Sequence, residues 1–103
     1  MRRVAITGLG AVSSLGHDVQ SLIEGTREGR SGVALTTLPN AELLSARYVA
    51  EVKNWDGAAT LGKKKLNLAD RFSQFAVAAA QQAVADAGDI SGERTAVIVG
   101  TGV

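Results

Sequence analysis

The residues best suited to chemistry near the start of the chain form a glycine-rich turn. The stretch GLGAVS, residues 8–13, matches the Gly-x-Gly-x-x-Gly pattern of dinucleotide-binding turns at two of three positions, with Ser13 in place of the third glycine. In such proteins the turn opens a helix whose N-terminal N–H groups bind a pyrophosphate. Gly8 and Gly10 therefore raise the hypothesis of a small nucleotide-binding module.

Three features of the sequence argue against that hypothesis. The third glycine is missing, and the helix that follows is predicted to begin at an N-cap, Asp18, well beyond the turn. The acidic residue expected about 20 residues further on has only Glu24 and Glu28 as candidates, and both fall in this helix or its exit. The alternative is that Gly8 and Gly10 are structural, and allow torsions or contacts that a side chain would block.

Nucleophilic and metal chemistry has few candidate residues. The 103 residues contain no cysteine and one histidine, so a thiolate nucleophile, a disulfide and a Cys or His metal cluster are excluded within this chain. We predict no cofactor and no metal, and His17 is predicted to be a surface or capping residue. The basic run Lys63, Lys64 and Lys65, with Arg71 close behind, is ordinarily a solvated turn but could also serve a partner.

The composition is that of a globular protein, with 46% hydrophobic residues and a net charge of +1. The charge lacks the basic excess typical of nucleic-acid binding. No apolar run reaches the roughly 18 residues that a membrane span requires. We therefore predict a cytoplasmic protein without nucleic-acid or membrane partners.

Two near-continuous apolar segments lie at the ends of the chain. Residues 4–7 and 96–99 predict strands buried on both faces, as in a parallel sheet. Each runs into a Gly-x-Gly turn. The predicted structural glycines are accordingly Gly8, Gly10, Gly100 and Gly102.

The strongest helical pattern covers residues 70–88. Apolar residues recur there at helical spacing, Asp70 is a possible N-cap, and Gly88 is the predicted C-cap. Residues 77–80 are apolar on every side, which predicts a buried helix. A shorter helix is predicted after Asp18, and a weak alternation over residues 46–55 predicts a short exposed strand.

Five separated stretches of the chain are informative when they are taken together: RRVAITGLGAVSSLGHDV, REGRSGV, AEVKNWD, DRFSQFAVAAAQQAVADAG and AVIVGTGV. In order and spacing they resemble the N-terminal quarter of the β-ketoacyl-acyl-carrier-protein synthases, condensing enzymes of fatty-acid and polyketide synthesis. The resemblance implies an α/β fold, the N-terminal portion of a thiolase-like layered αβαβα architecture. Residues 1–103 would be one segment of that domain, incomplete by itself, and Val103 would not be a natural domain end.

The resemblance also implies an activity for the parent protein. Family members hold an acyl chain as a thioester on a cysteine, and malonyl on acyl carrier protein loses CO2 and attacks it. A thiolate serves as nucleophile and leaving group, and two histidines stabilise the developing negative charge. In the family these residues lie downstream of the part that this chain resembles. The parent is thus expected to be an acyltransferase, while this chain alone has no catalytic residue and is expected to be inactive.

The partners that the resemblance implies are acyl carrier protein, the remainder of the synthase chain and a second subunit, in a homodimer or a synthase/chain-length-factor heterodimer. Carrier protein is acidic, and the expected docking residues precede the long helix: Lys63, Lys64, Lys65 and Arg71. Two alternatives stay open. One is a segment of a non-catalytic partner resembling a chain-length factor, and the other is the nucleotide-binding module.

Overall fold

The computed structural model describes residues 1–90 and 92–102, so the expectation attached to Val103 lies outside the described residues. The elements in chain order are α1 (Val19–Arg27), β1 (Ala34–Leu35), a 3-10 turn (Ala41–Leu43), β2 (Tyr48–Val49), α2 (Gly57–Leu61), α3 (Lys63–Leu66) and α4 (Arg71–Ala87). β1 and β2 form a two-stranded antiparallel sheet in which Ala34 pairs with Val49. Within the described ranges, none of the helices has the length and apolar character needed to cross a membrane.

The helix ends follow the sequence predictions closely. α1 begins after Asp18, whose carboxylate accepts a hydrogen bond from the backbone N–H of Ser21 at 2.7 Å. α4 ends at Gly88, where φ is 82° and the N–H donates to the carbonyl oxygen of Val84 at 3.1 Å. Asp70 occupies the N-cap position of α4, but its side chain makes no capping hydrogen bond.

The strand predictions have a mixed outcome. β2 lies inside the predicted range 46–55, but it is only two residues long. Residues 4–7 and 96–99 form no strand, and their large apolar side chains are exposed, at 93% for both Val4 and Ile98. A strand needs a neighbour to pair its N–H and C=O groups. Neither segment has one among the described residues, so the prediction of two buried strands is wrong for this chain.

α4 is covered on one side only. Ala78, which is 6% exposed, is the buried apolar residue of the described chain, and it lies four residues from both Gln74 and Gln82 in the helix. Phe72, Val77 and Val84 on other faces are exposed. The apolar run 77–80 has the composition of a buried helix, but burial requires a partner on each side. The predicted all-round burial is therefore wrong for this chain.

Candidate functional site

The glycine turn packs directly on the backbone of α4. A Cβ atom on Gly10 would overlap the carbonyl oxygen of Ala79. One on Gly8 would overlap the carbonyl oxygen of Ala83 and lie 2.7 Å from the backbone nitrogen of Ala87. Cβ atoms do not approach so closely in proteins, so only glycine fits at either position. The space beside the turn is filled by the helix.

A row of polar side chains runs along the inner face of α4. Gln74, Gln82 and Asp86 are separated by multiples of four residues, with Ala78 between the first two. Residues at this spacing lie above one another on one side of a helix. We call these three residues the polar row.

Two members of the polar row, Gln82 and Asp86, bind the backbone of the N-terminal turn. The Oδ2 of Asp86 accepts from the N–H of Leu9 at 3.0 Å, and the Oε1 of Gln82 accepts from the N–H of Ala11 at 3.0 Å. The Nε2 of Gln82 also donates to the carbonyl oxygen of His17 at 2.6 Å. The turn is thus held on α4 by backbone packing at its glycines and by side-chain hydrogen bonds to residues between and after them.

These contacts do not favour the nucleotide-binding hypothesis. The N–H groups of Leu9 and Ala11, which a phosphate would need, already donate to Asp86 and Gln82. At the N-terminus of α1, the N–H of Ser21 already donates to the Asp18 carboxylate. A phosphate at this turn would also meet the negative charges of Asp86 and Asp18.

The Asp18 carboxylate is stabilised in its charged form. The backbone N–H of Ser21, and secondarily its hydroxyl group, hydrogen-bond to the carboxylate and hold the pKa of Asp18 below its ordinary value of 3.8. Its neighbour His17 adds a smaller effect in the same direction. The local chemistry at the start of α1 is that of a helix cap.

His17 lies half-buried between two loops. Its Nε2 donates to the carbonyl oxygen of Lys53 at 2.8 Å, and its ring meets that of Trp55 edge-on, with centroids 5.3 Å apart. Trp55 in turn meets Phe75 edge-on at 5.0 Å. These contacts give His17 a packing role beyond the predicted surface or cap position. Among the residues described, no group of three or more His, Cys, Asp or Glu side chains could hold a metal ion.

The three lysines of α3 form an exposed basic surface. We call Lys63, Lys64 and Lys65 the lysine surface; each side chain is exposed, and no carboxylate in the described part of the chain forms an ion pair with them. Arg71 is engaged elsewhere. Its guanidinium donates to the carbonyl oxygen of Val52 and lies over the ring of Phe75, 5.5 Å from the centroid. The structure groups the lysines and turns Arg71 toward the body of the chain.

The remaining predicted glycines have no such contacts. Nothing lies within 4 Å of a Cβ built on Gly100 or Gly102, so their structural role stays a prediction. The polar row was absent from the sequence interpretation. The available signal was the position of Gln74 and Gln82, two hydrogen-bonding side chains eight residues apart in a helix of largely apolar pattern.

Comparison with known proteins assigns the chain to a protein family. The family model for the β-ketoacyl synthase N-terminal domain matches residues 1–103. The chain belongs to the β-ketoacyl synthase family and corresponds to its N-terminal domain. This membership implies a thiolase-like fold, of which the described helices and small sheet form part.

Named relatives match along nearly the whole chain. It is 37% identical over 106 residues to 3-oxoacyl-[acyl-carrier-protein] synthase 2 of Synechocystis sp.. This alignment covers 99% of the chain and 26% of the relative. The proteins of the same name from Staphylococcus aureus (strain N315) and Coxiella burnetii are 36% and 38% identical, with the same coverage. The chain thus spans about a quarter of the length of the curated relatives that it matches.

Proposed function

We propose that the chain is the N-terminal segment of a 3-oxoacyl-acyl-carrier-protein synthase. Such an acyltransferase condenses an acyl thioester with malonyl-acyl carrier protein, with loss of CO2, in fatty-acid biosynthesis. The observation that carries this proposal is the match of residues 1–103, end to end, to the N-terminal domain of the family, and the names of the relatives agree with it. We place the protein in the cytoplasm and expect a homodimer.

The exposed apolar surface supports a segment that belongs to a larger domain. Residues 4–7 and 96–99 are extended and apolar without a strand partner, and α4 carries an uncovered apolar face. Burying such surface is the main driving force of folding, at about 25 cal/mol per Å². In the proposed layered αβαβα domain, other elements of the synthase would pair with the two segments and cover α4.

The chemistry of condensation assigns this segment a scaffold role. The step needs a thiolate that forms and then releases a thioester, and it needs groups that stabilise negative charge on oxygen. Residues 1–103 contain no cysteine and a single histidine, which is bound to Lys53 and packed on Trp55. We therefore propose that the nucleophile and the stabilising histidines lie in other parts of the synthase.

The lysine surface is the proposed docking site for acyl carrier protein. Three ammonium groups follow one another on α3, are exposed, and lack ion-pair partners in the described part of the chain. Such a cluster attracts an acidic partner and accelerates its association in a salt-dependent way. Arg71, which the sequence grouped with the lysines, is proposed to anchor α4 instead, because its guanidinium is bound to Val52 and Phe75.

The alternative of a non-catalytic subunit resembling a chain-length factor is not favoured, because the relatives described above carry the names of synthases. The two candidates differ at the nucleophile position of the parent, which a catalytic synthase fills with cysteine. Condensing activity of the full-length protein separates them directly.

The synthase proposal is tested by intact mass and by activity. Mass spectrometry of the protein isolated from its natural source should give a mass several times the 10.6 kDa of residues 1–103. That protein should form 3-oxoacyl-carrier protein from acyl and malonyl carrier proteins, and residues 1–103 alone should form none. A natural protein of 10.6 kDa, or a full-length protein without condensing activity, would contradict the proposal.

The docking proposal is tested by charge reversal in the full-length synthase. Lys64→Glu should weaken carrier-protein binding roughly three- to tenfold at low salt, with the difference shrinking as salt rises. The matched control is Lys53→Glu, which makes the same charge change at an exposed residue away from α3. Equal affinities for the two variants at low salt would contradict docking at the lysine surface.

A further inference from the structure

Both ends of the segment that carries the lysine surface are hydrogen-bonded to one side chain, that of Gln74. The Oε1 of Gln74 accepts from the indole Nε1 of Trp55 at 2.9 Å, upstream of α2. The Nε2 of Gln74 donates to the carbonyl oxygen of Ala69 at 2.9 Å, downstream of α3. A single amide, partly buried in the first turns of α4, therefore holds residues 55–69 as a loop.

The interior of this loop packs on the same side chain. Gly57 in α2 is buried, and a Cβ atom there would overlap the Oε1 of Gln74 and lie 2.6 Å from the Cδ1 of Leu66. Leu66 is the last residue of α3, directly after the three lysines. The contact at Gly57 therefore joins α2, α3 and Gln74, and it sets the position of α3 relative to α4.

We propose that Gln74 is the positioning residue of the lysine surface. It touches no partner, and it acts by fixing α3 so that the three ammonium groups face the carrier protein in one arrangement. Ordering a flexible basic segment on binding would cost conformational entropy, and a surface that is already ordered avoids that cost. This inference rests on the docking function proposed above.

The amide chemistry of Gln74 suits this role. The indole Nε1–H only donates and the Ala69 carbonyl only accepts, so the residue between them must accept on one side and donate on the other. A glutamine amide does both without charge. Leucine keeps much of the volume and provides neither function, which leaves two partly buried polar groups without their partner.

The experiment compares Gln74→Leu with Gln20→Leu in the full-length synthase. Gln20 is exposed on α1, outside residues 55–69, and is the matched control. We expect Gln74→Leu to speed backbone hydrogen exchange within residues 57–69 and to weaken carrier-protein binding roughly three- to tenfold, while Gln20→Leu changes neither. Trp55→Phe, which removes the Nε1 donor and shortens the ring that meets His17 and Phe75, should give smaller changes in the same direction, and it serves as the test if Gln74→Leu does not fold.

A double variant shows whether Gln74 acts through the lysines. In a Lys64→Glu background, Gln74→Leu should weaken binding by a smaller factor than it does alone, because the surface that it positions is already impaired. Equal factors in both backgrounds would overturn the inference.

The remaining outcomes separate this inference from the docking proposal. Unchanged hydrogen exchange in Gln74→Leu, or faster exchange with unchanged affinity while Lys64→Glu weakens binding, overturns the positioning role and leaves docking intact. If Lys64→Glu itself leaves affinity unchanged, docking fails, and the role of Gln74 in presenting the lysines fails with it.

Discussion

Gln82 and His17 are joined by a hydrogen bond of 2.6 Å between side-chain Nε2 and backbone carbonyl oxygen, across 65 residues of sequence. The same amide accepts from the N–H of Ala11, so one glutamine of α4 closes both ends of the turn that follows the glycines. The hydrogen bonds of Gln82 and Asp86, together with the packing of Gly8 and Gly10, make the turn and the helix one unit. The turn is thus defined by contacts with α4 rather than by a ligand.

We expect Gln82→Glu to destabilise this unit. A carboxylate still accepts from Ala11 but has no donor for the carbonyl oxygen of His17, so two acceptors face one another. The free energy of unfolding should fall by about 1–3 kcal/mol at pH 7. Urea unfolding of the full-length protein measures this, with Asn40→Asp as the control, the same change of amide to carboxylate at an exposed side chain that makes no capping hydrogen bond. Equal losses for the two variants would show that the hydrogen bond to His17 contributes nothing.

Gly10→Ala should force the turn away from α4. The new methyl group would overlap the carbonyl oxygen of Ala79, which belongs to helix backbone and cannot turn aside as a side chain does. We expect a loss of about 1–3 kcal/mol in unfolding free energy. The neighbouring Leu9→Ala, at a half-exposed side chain, should cost less in the same measurement. A fully stable Gly10→Ala protein would contradict the close packing.

The cap at Asp18 predicts a dependence of stability on pH. Because hydrogen bonds from Ser21 lower the pKa of Asp18 in the folded protein, its carboxylate stabilises the fold above the ordinary value of 3.8. That stabilisation should be lost as the pH falls through the lowered folded pKa. Urea unfolding across the acid range should therefore show a weaker pH dependence for Asp18→Asn.

A matched comparison at neutral pH places alanine at both caps: Asp70→Ala changes the N-cap of α4, where the side chain makes no capping hydrogen bond. It has no such bond to lose, so its unfolding free energy at neutral pH should change less than that of Asp18→Ala. The reverse order would contradict the assignment of Asp18 as the cap that matters.

Substitution of Arg71 should lower stability, whereas substitution in the lysine surface should weaken binding of carrier protein. Arg71→Gln removes the hydrogen bond to Val52 and the contact over Phe75, and should lower the unfolding free energy by about 1 kcal/mol. Lys65→Gln should leave stability nearly unchanged and weaken binding of carrier protein. Thermal unfolding and titration calorimetry on both full-length variants test this. If Arg71→Gln weakens binding and leaves stability intact, Arg71 belongs to the docking surface after all.

Local signals in the sequence were sufficient for α1 and α4. Asp18 and Gly88 mark helix ends through hydrogen bonds to residues three or four positions away, so short-range chemistry determines them. The apolar spacing over residues 70–88 identified α4 within one residue at each end. The five stretches quoted above identified the family, because their order reflects the whole chain and not one motif.

The local sequence patterns did not predict the strands or the burial correctly. The apolar segments 4–7 and 96–99 have the composition of buried strands, but pairing and burial depend on neighbours that a local pattern does not contain. α2 was not predicted, and its N-terminus is capped by Asp56, which accepts from the N–H groups of Ala58 and Ala59. The cap is visible only once the helix is known, because five residues are too short for a periodic signal.

The sequence by itself determined the start of α1, both ends of α4, the glycine turn, the run of lysines and the family. The tertiary structure decided what those features touch. It placed Gly8 and Gly10 on the backbone of α4, joined Arg71 to the carbonyl oxygen of Val52, and gave Gln74 and Gln82 their partners. The physical reason is the sequence separation over which each signal acts. Caps and helical periodicity act over a few residues. These contacts join residues far apart in the chain, and only the folded backbone brings them together.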